Sequence, residues 1–169
     1  MEEQITTGQV SKKWGLIYGL IGTILGIVPL ILEIQVPWMP IVNIALAIVM
    51  YALAMKEFKT ANGGYMTFGE GFRIAMMAAL ISGVMRSVIN YVYTKFIDPE
   101  VMGRMQDAMQ DAWRQQGMSD QEIEQAQGFT AGFTNPEVVA VMAIIFVILG
   151  GLVWGSIVSA VVKNEAEDF

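Results

Sequence analysis

Four long stretches of the chain carry almost no charge, and polar segments separate them. A helix rises about 1.5 Å per residue, so roughly 20 apolar residues cross a hydrocarbon core about 30 Å thick. Trp14 to Leu32 holds no charged residue and predicts a first span over 14–32. A cleaved signal peptide is the rival reading, because Lys12-Lys13 precede the run; the run is long for one, and no Ala-x-Ala-like site follows. Glu33 to Pro40 is a break holding Pro37 and Pro40, residues that start helices well. The second span is expected over 38–55, stopped by Lys56, Glu57 and Lys59. Asn62-Gly63-Gly64 signals a turn, and the third span follows over 72–97. Asn135-Pro136, an N-cap residue before a proline, opens the fourth span over 137–162.

Residues 98–135 are too polar to cross a bilayer. Val101, Met102, Met105, Met109, Ala112 and Trp113 recur at helical spacing and predict an amphipathic helix, which Gly117 breaks. Asp98-Pro99 repeats the pattern of N-cap and first-turn proline. Ser119-x-x-Glu122 is a capping-box match before a second short helix, or a chance match in a polar loop. The amphipathic helix has three readings: lying on a membrane surface, capping the bundle, or binding a partner through its methionines. Capping is preferred, since an acidic polar face disfavours anionic lipid.

These runs define the fold class: all-α, an integral membrane four-helix bundle with an amphipathic helical extracytoplasmic segment between the third and fourth spans, residues 1–169 forming a single membrane domain. In water a helix needs a polar face, and the first and fourth runs have none. Barrel strands would alternate, and these runs do not. Composition agrees, with 54% hydrophobic residues in 169. Lys12, Lys13, Lys56, Lys59, Arg73 and Lys163 fall on one side of the spans. The other side has Lys95, Arg104 and Arg114, with residues 98–135 holding seven acids against two arginines. The first side is therefore expected in the cytoplasm, with both termini. A net charge of −6 excludes a nucleic-acid partner. The chain has no histidine and no cysteine, which removes imidazole and thiol catalysis and zinc sites built on those ligands. No catalytic residue, cofactor or metal is expected.

Gly15, Gly19, Gly22 and Gly26 form a stripe on the first span, and Gly151, Gly155 and Ser159 form another on the fourth. Such stripes admit close helix packing, either within one bundle, which is preferred, or between two copies. On the third span Ala75, Ala79, Ser82, Arg86, Asn90 and Tyr93 share one face, opposite Met77, Leu80, Val84 and Val88. The polar face is expected to look inward. Arg86 lies near the middle of this run, where an arginine costs about 2.5–3.5 kcal/mol and needs a partner. Glu33 and Glu137 are candidates, with Asn90, Asn43 and Ser82 completing a candidate polar site for an anion or polar substrate. The alternatives are a structural ion pair or a snorkelling arginine. Glu70 and Arg73 can pair on a helix surface.

The stretch Lys56-Glu57-Phe58-Lys59, then Asn62-Gly63-Gly64-Tyr65-Met66-Thr67-Phe68-Gly69-Glu70-Gly71-Phe72-Arg73, carries a resemblance, as do Asn90-Tyr91-Val92-Tyr93 and Phe96-Ile97-Asp98-Pro99. Over nearly its whole length the chain resembles the four-helix bacterial membrane proteins known as domain of unknown function 4199, found mainly in Bacteroidota. The resemblance implies an inner-membrane location and supplies no activity or catalytic residue. The expected role is a non-enzymatic scaffold or accessory subunit, partnered by the lipid bilayer and by a second copy or another membrane protein. The alternative is a small oligomeric transporter or channel component using Arg86, Asn90 and Glu33. An intramembrane enzyme ranks last.

Overall fold

A computed structural model describes residues 5–32, 34, 36–130, 132 and 135–164. Six α-helices follow one another: α1 (Thr7–Ile31), α2 (Met39–Ala61), α3 (Phe68–Val92), α4 (Val101–Gln115), α5 (Asp120–Thr130) and α6 (Pro136–Val162), with a π-helical turn, Tyr93–Ile97, ending α3. No β-strand occurs among the described residues; Met66 and Asn164 form an isolated antiparallel bridge. Among the described residues four helical segments are long and apolar enough to cross a membrane: Thr7–Ile31, Met39–Ala61, Phe68–Ile97 and Pro136–Val162.

Three helices exceed their expected bounds. α1 begins at Thr7, seven residues before the expected start, because Thr6 and Gln9 form a capping box in which each side chain bonds the other's backbone N–H. α2 runs on through Lys56, Glu57 and Lys59 to Ala61. Those charges end the apolar stretch but not the helix, since lysine and glutamate are good helix formers. α3 begins at Phe68, where the Thr67 hydroxyl accepts from the Glu70 N–H at 3.2 Å and the Glu70 carboxylate takes the Thr67 N–H at 2.8 Å.

The described residues fall into two compact units, one holding the chain up to Arg86 together with Ile144 onwards, the other Ser87–Ala143. In the first unit Tyr18, Tyr51, Met55, Phe58 and Ile74 fill the core, and small residues line the seams of α3. Ala75, Ala78, Ala79, Ser82 and Ser159 are buried, whereas Leu20, Ile24, Met77, Leu80, Val84, Phe146, Leu149 and Val161 are exposed. α3 packs by small-residue contacts on two sides. A Cβ on Gly15 would stand 3.1 Å from the Ala78 Cα, one on Gly19 3.2 Å from the Ser82 Cα, and one on Gly22 2.7 Å from the Arg86 Cζ. These contacts advance together along α1 and α3, so the two helices run parallel. On the other side a Cβ on Gly155 would stand 2.6 Å from the Ala75 Cβ, and one on Gly151 2.7 Å from the Ala79 Cβ. The numbers run in opposite senses, so α6 is antiparallel to α3. Gly71 faces Ser159 in the same register, with the Ser159 hydroxyl donating to the Phe68 carbonyl at 2.7 Å. Gly26 is different: nothing lies within 4 Å of the Cβ it lacks. The glycine stripe of α1 is thus used within this chain over Gly15, Gly19 and Gly22 and stops there.

In the second unit the expected amphipathic helix is α4, and Gly117 ends it with φ 85°. Ser119 and Glu122 form a real capping box at the start of α5, with the Ser119 N–H on the carboxylate at 2.8 Å. That N–H and the Ser119 hydroxyl hold the Glu122 carboxyl below its usual range. Asp98 does not cap α4: the N-cap position is Glu100, and Asp98 instead takes the Arg104 guanidinium, which lowers its carboxyl in turn. Asn135 does open α6, its Oδ1 accepting from the Glu137 N–H at 2.8 Å.

The two-sided packing of α3 generates a prediction. Gly155→Leu forces a side chain into the Ala75 contact, and overpacking of this kind costs about 1–3 kcal/mol. Thermal unfolding in detergent, followed by circular dichroism, is expected to shift to lower temperature for Gly155→Leu. For Gly26→Ala it is expected to stay level or rise, since open space surrounds that position.

Candidate functional site

The polar site expected around Arg86 has a definite construction in the first unit. α3 carries Arg86 on the same face as buried Ala75, Ala79 and Ser82. α1 meets that face with Gly22, and the missing Cβ leaves a notch that the guanidinium occupies. α2 supplies Asn43, whose Oδ1 accepts from the Arg86 Nη2 at 2.8 Å. The amide is held in that orientation because its Nδ2 donates to the Met39 carbonyl at 3.0 Å. The guanidinium carbon lies 5.8 Å from the centroid of the Tyr18 ring, and Tyr18 meets Tyr51 edge to face with centroids 5.9 Å apart. Both tyrosines are buried. Arg86 itself is half-buried.

Among the described residues these contacts, and no carboxylate, meet the charge. A hydrogen bond to a charged group contributes about 1.5–3 kcal/mol, and a cation over an aromatic face about 0.5–2 kcal/mol. Together they are of the size of the roughly 2.5–3.5 kcal/mol that a mid-helix arginine would cost in a membrane-crossing helix. Among the described residues no acid lies within ion-pair distance of Arg86. Glu33 lies outside the described residues. Glu137 belongs to the second unit, where it pairs with Lys95 and accepts from the Tyr91 hydroxyl at 3.2 Å. Ser82 is buried and donates back to the Ala79 carbonyl at 3.0 Å, closing its own hydrogen bond within α3. Asn90 is half-buried and also belongs to the second unit. Of the six residues grouped by sequence, the structure brings Arg86 and Asn43 into contact and gives Ser82 and Glu137 other partners.

Tyr18 and Tyr51 are the members that sequence reasoning passed over, and Gly22, placed on the packing stripe, was not joined to Arg86. Tyr18 stands three residues after Gly15 and four before Gly22, on the packing stripe itself, and Tyr51 stands two turns beyond Asn43 on α2. Helical spacing therefore held the signal, but both tyrosines read as ordinary apolar residues within their runs.

The glycine-rich turn, residues 62–73, forms a second cluster in the first unit. Gly63 and Gly64 have φ of 67° and 92°, a region that glycine enters without penalty. Met66 is buried and exchanges backbone hydrogen bonds of 2.9 Å with Asn164, whose side chain also donates to the Gly64 carbonyl at 3.0 Å. The Glu70 carboxylate is committed to Thr67, so it does not pair with Arg73, which is exposed. Phe68 and Phe72 stack with centroids 6.1 Å apart, and Gly69 has open space about it. Beside the turn, Glu57 takes both the Lys13 ammonium at 2.7 Å and the Trp14 indole N–H at 2.9 Å, and the Lys59 ammonium donates to the Val162 carbonyl at 3.0 Å. The turn therefore ties together the end of α2, the start of α3 and the end of α6, and Glu57 of α2 holds α1 beside it.

A family model described as "Protein of unknown function (DUF4199)" matches residues 13–164. The chain belongs to this family. No curated protein and no solved structure matches it. The match to DUF4199 begins at Lys13, which Glu57 holds, and ends at Asn164, which the turn holds. In this DUF4199 protein the most recognisable residues of the sequence thus make structure: two left-handed glycines, a capping box and a clamp on the end of α6. Nothing in that arrangement places a nucleophile beside a base.

A double-mutant cycle tests the account of Arg86. Asn43→Leu alone leaves a half-buried cation without its acceptor, and is expected to lower stability by about 1–3 kcal/mol. Asn43→Leu with Arg86→Leu removes both partners and is expected to recover most of that loss. Denaturant-induced unfolding in mixed micelles measures both.

Proposed function

We propose that this DUF4199 protein is a four-span protein of the cytoplasmic membrane that acts as a non-enzymatic scaffold or accessory subunit. The observation that carries the membrane reading is the large aliphatic surface exposed along its four long helices. Glycine, alanine and serine line the seams of α3 with α1 and α6, and Tyr18, Tyr51, Met55 and Phe58 fill the core beside them, while Leu20, Ile24, Leu80, Val84, Phe146 and Leu149 stand exposed on the outside. In water that arrangement exposes large apolar surface, whereas in lipid tails the outer side chains meet a solvent as apolar as themselves. The hydroxyls follow the same logic: Ser11, Thr23, Ser82 and Ser156 each donate to a carbonyl of their own helix. No water is then needed to satisfy them, a requirement in the hydrocarbon region.

The orientation puts Lys12, Lys13, Lys56, Lys59, Arg73 and Lys163 on the cytoplasmic side, with both termini, and α4 and α5 outside. The non-enzymatic reading rests on Arg86 being engaged by Asn43, Tyr18 and the Gly22 notch, and on the terminal clamp being structural. Its partner is a second copy of this chain or another membrane protein, met through the outward apolar faces of α1 and α6 or through the exposed Met105 and Met109 of α4.

Cysteine labelling gives a clean test, because the chain has no cysteine of its own. In native vesicles Leu20→Cys and Leu149→Cys are expected to resist a membrane-impermeant maleimide although both positions are exposed on the isolated chain, and Lys12→Cys and Gln121→Cys to label from opposite sides. Free labelling of Leu20→Cys or Leu149→Cys, or recovery of the chain without detergent, would refute the membrane reading. Purification in mild detergent is expected to bring a membrane protein or a second copy in constant ratio. Solute flux in proteoliposomes that Arg86→Leu abolishes would overturn the scaffold role in favour of transport.

A further inference from the structure

The ends of α2 and α6 enclose a cleft of about 460 Å³ lined by Ala52, Lys56, Lys59, Thr60, Gly64, Val161 and Val162. It is amphipathic by construction. Ala52, Val161 and Val162 form its apolar part, and Val161 is 79% exposed, the most open large aliphatic side chain of α6. Lys56 and Lys59 supply two ammonium groups at the polar end. Lys59 spends one donor on the Val162 carbonyl, an unsatisfied acceptor at the helix C-terminus, and that bond fixes the ammonium over the cleft. An ammonium has three donors, so two remain on Lys59. Lys56 is exposed. The nearest acid on α2, Glu57, is held by Lys13 and Trp14 and does not line the cleft. Positive charge therefore gathers beside apolar wall without a carboxylate among the lining residues.

We propose that this cleft binds the phosphodiester headgroup of an anionic phospholipid, with Lys56 and Lys59 on the phosphate and an acyl chain along Ala52, Val161 and Val162. The assignment rests on the four-span reading, which sets the ends of α2 and α6 at the cytoplasmic headgroup layer, where anionic lipids concentrate and each lysine adds attraction. A free phosphate shares the charge chemistry but has no use for the apolar wall, whereas a phospholipid fills both halves.

Native mass spectrometry of the full chain in detergent reads the outcome. The chain is titrated with dioleoylphosphatidylglycerol, dioleoylphosphatidylcholine or inorganic phosphate. Phosphatidylglycerol is expected to be retained about fivefold or more over phosphatidylcholine, and Lys56→Gln to lower that preference about fivefold, the worth of one lysine near an anionic surface. Lys12→Gln, on the exposed start of α1, is expected to leave it unchanged. Equal retention of the two lipids, or an undiminished preference in Lys56→Gln, would overturn the site. Displacement of phosphatidylglycerol by millimolar inorganic phosphate would reassign the cleft to the free anion and overturn the lipid. A failure of the four-span reading shows separately, as a chain that stays soluble without detergent.

Discussion

The first unit depends on how near α3 can come to two neighbours at once. Gly15, Gly19 and Gly22 open one side of it to α1, and Gly151 and Gly155 open the other to α6, with hypothetical Cβ atoms falling 2.6–3.2 Å from the facing helix. Backbones at that separation leave no room for branched side chains between them. The seams between these helices must therefore be glycine, alanine and serine, while Tyr18, Tyr51, Met55 and Phe58 fill the core beside them and Leu20, Leu80, Val84 and Leu149 face outward. Small residues gain contact area along the seams by letting the backbones approach.

Arg86 fits the same constraint. It sits one turn past Ser82 on the small-residue face, and a guanidinium would clash with any neighbour larger than glycine at Gly22. The glycine that gives close packing at Gly15 and Gly19 gives side-chain room at Gly22. Asn43 from α2 then completes the hydrogen bonding, and Tyr18 offers its ring face. Among the described residues the charge is held by a dipole and a quadrupole, an arrangement that avoids desolvating a second ion.

The fold was legible where one physical effect dominated a segment. Absence of charge over Trp14–Leu32 and Val138–Val162 located two long helices, and the wheel of α3 separated buried Ala75, Ala79 and Ser82 from exposed Met77, Leu80, Val84 and Val88. Helix ends were less legible, because hydropathy does not mark them. α2 passes straight through Lys56 and Glu57, and α1 begins at a capping box seven residues before the apolar run. The site was half legible: charge singled out Arg86 and polarity singled out Asn43, but the search for a partner looked for an acid. Tyr18 and Gly22 escaped because an aromatic face and a missing Cβ have no charge to draw the eye. Asp98 and Glu70 show the converse, two acids whose local spacing suggested one partner while the fold supplied another.

The motif through which the chain resembled its family is the one whose structure is most fully explained. Gly63 and Gly64 turn the chain, Thr67 and Glu70 cap α3, Gly71 admits Ser159, and Met66 bridges Asn164. Each residue answers a packing or backbone demand, and those demands converge because the ends of α2, α3 and α6 meet there. α2 must reverse into α3 within the few residues 62–67, and α6 must finish against the same turn. Left-handed glycines, a cap and a backbone bridge meet that need at low conformational cost. The clamp also fixes the ends of α2 and α6 relative to each other, with Lys59 bonded across to Val162. The cleft beside Lys56 is thus a consequence of how the turn holds those two ends, and a rigid frame is what a binding surface needs if its two lysines are to meet one phosphate.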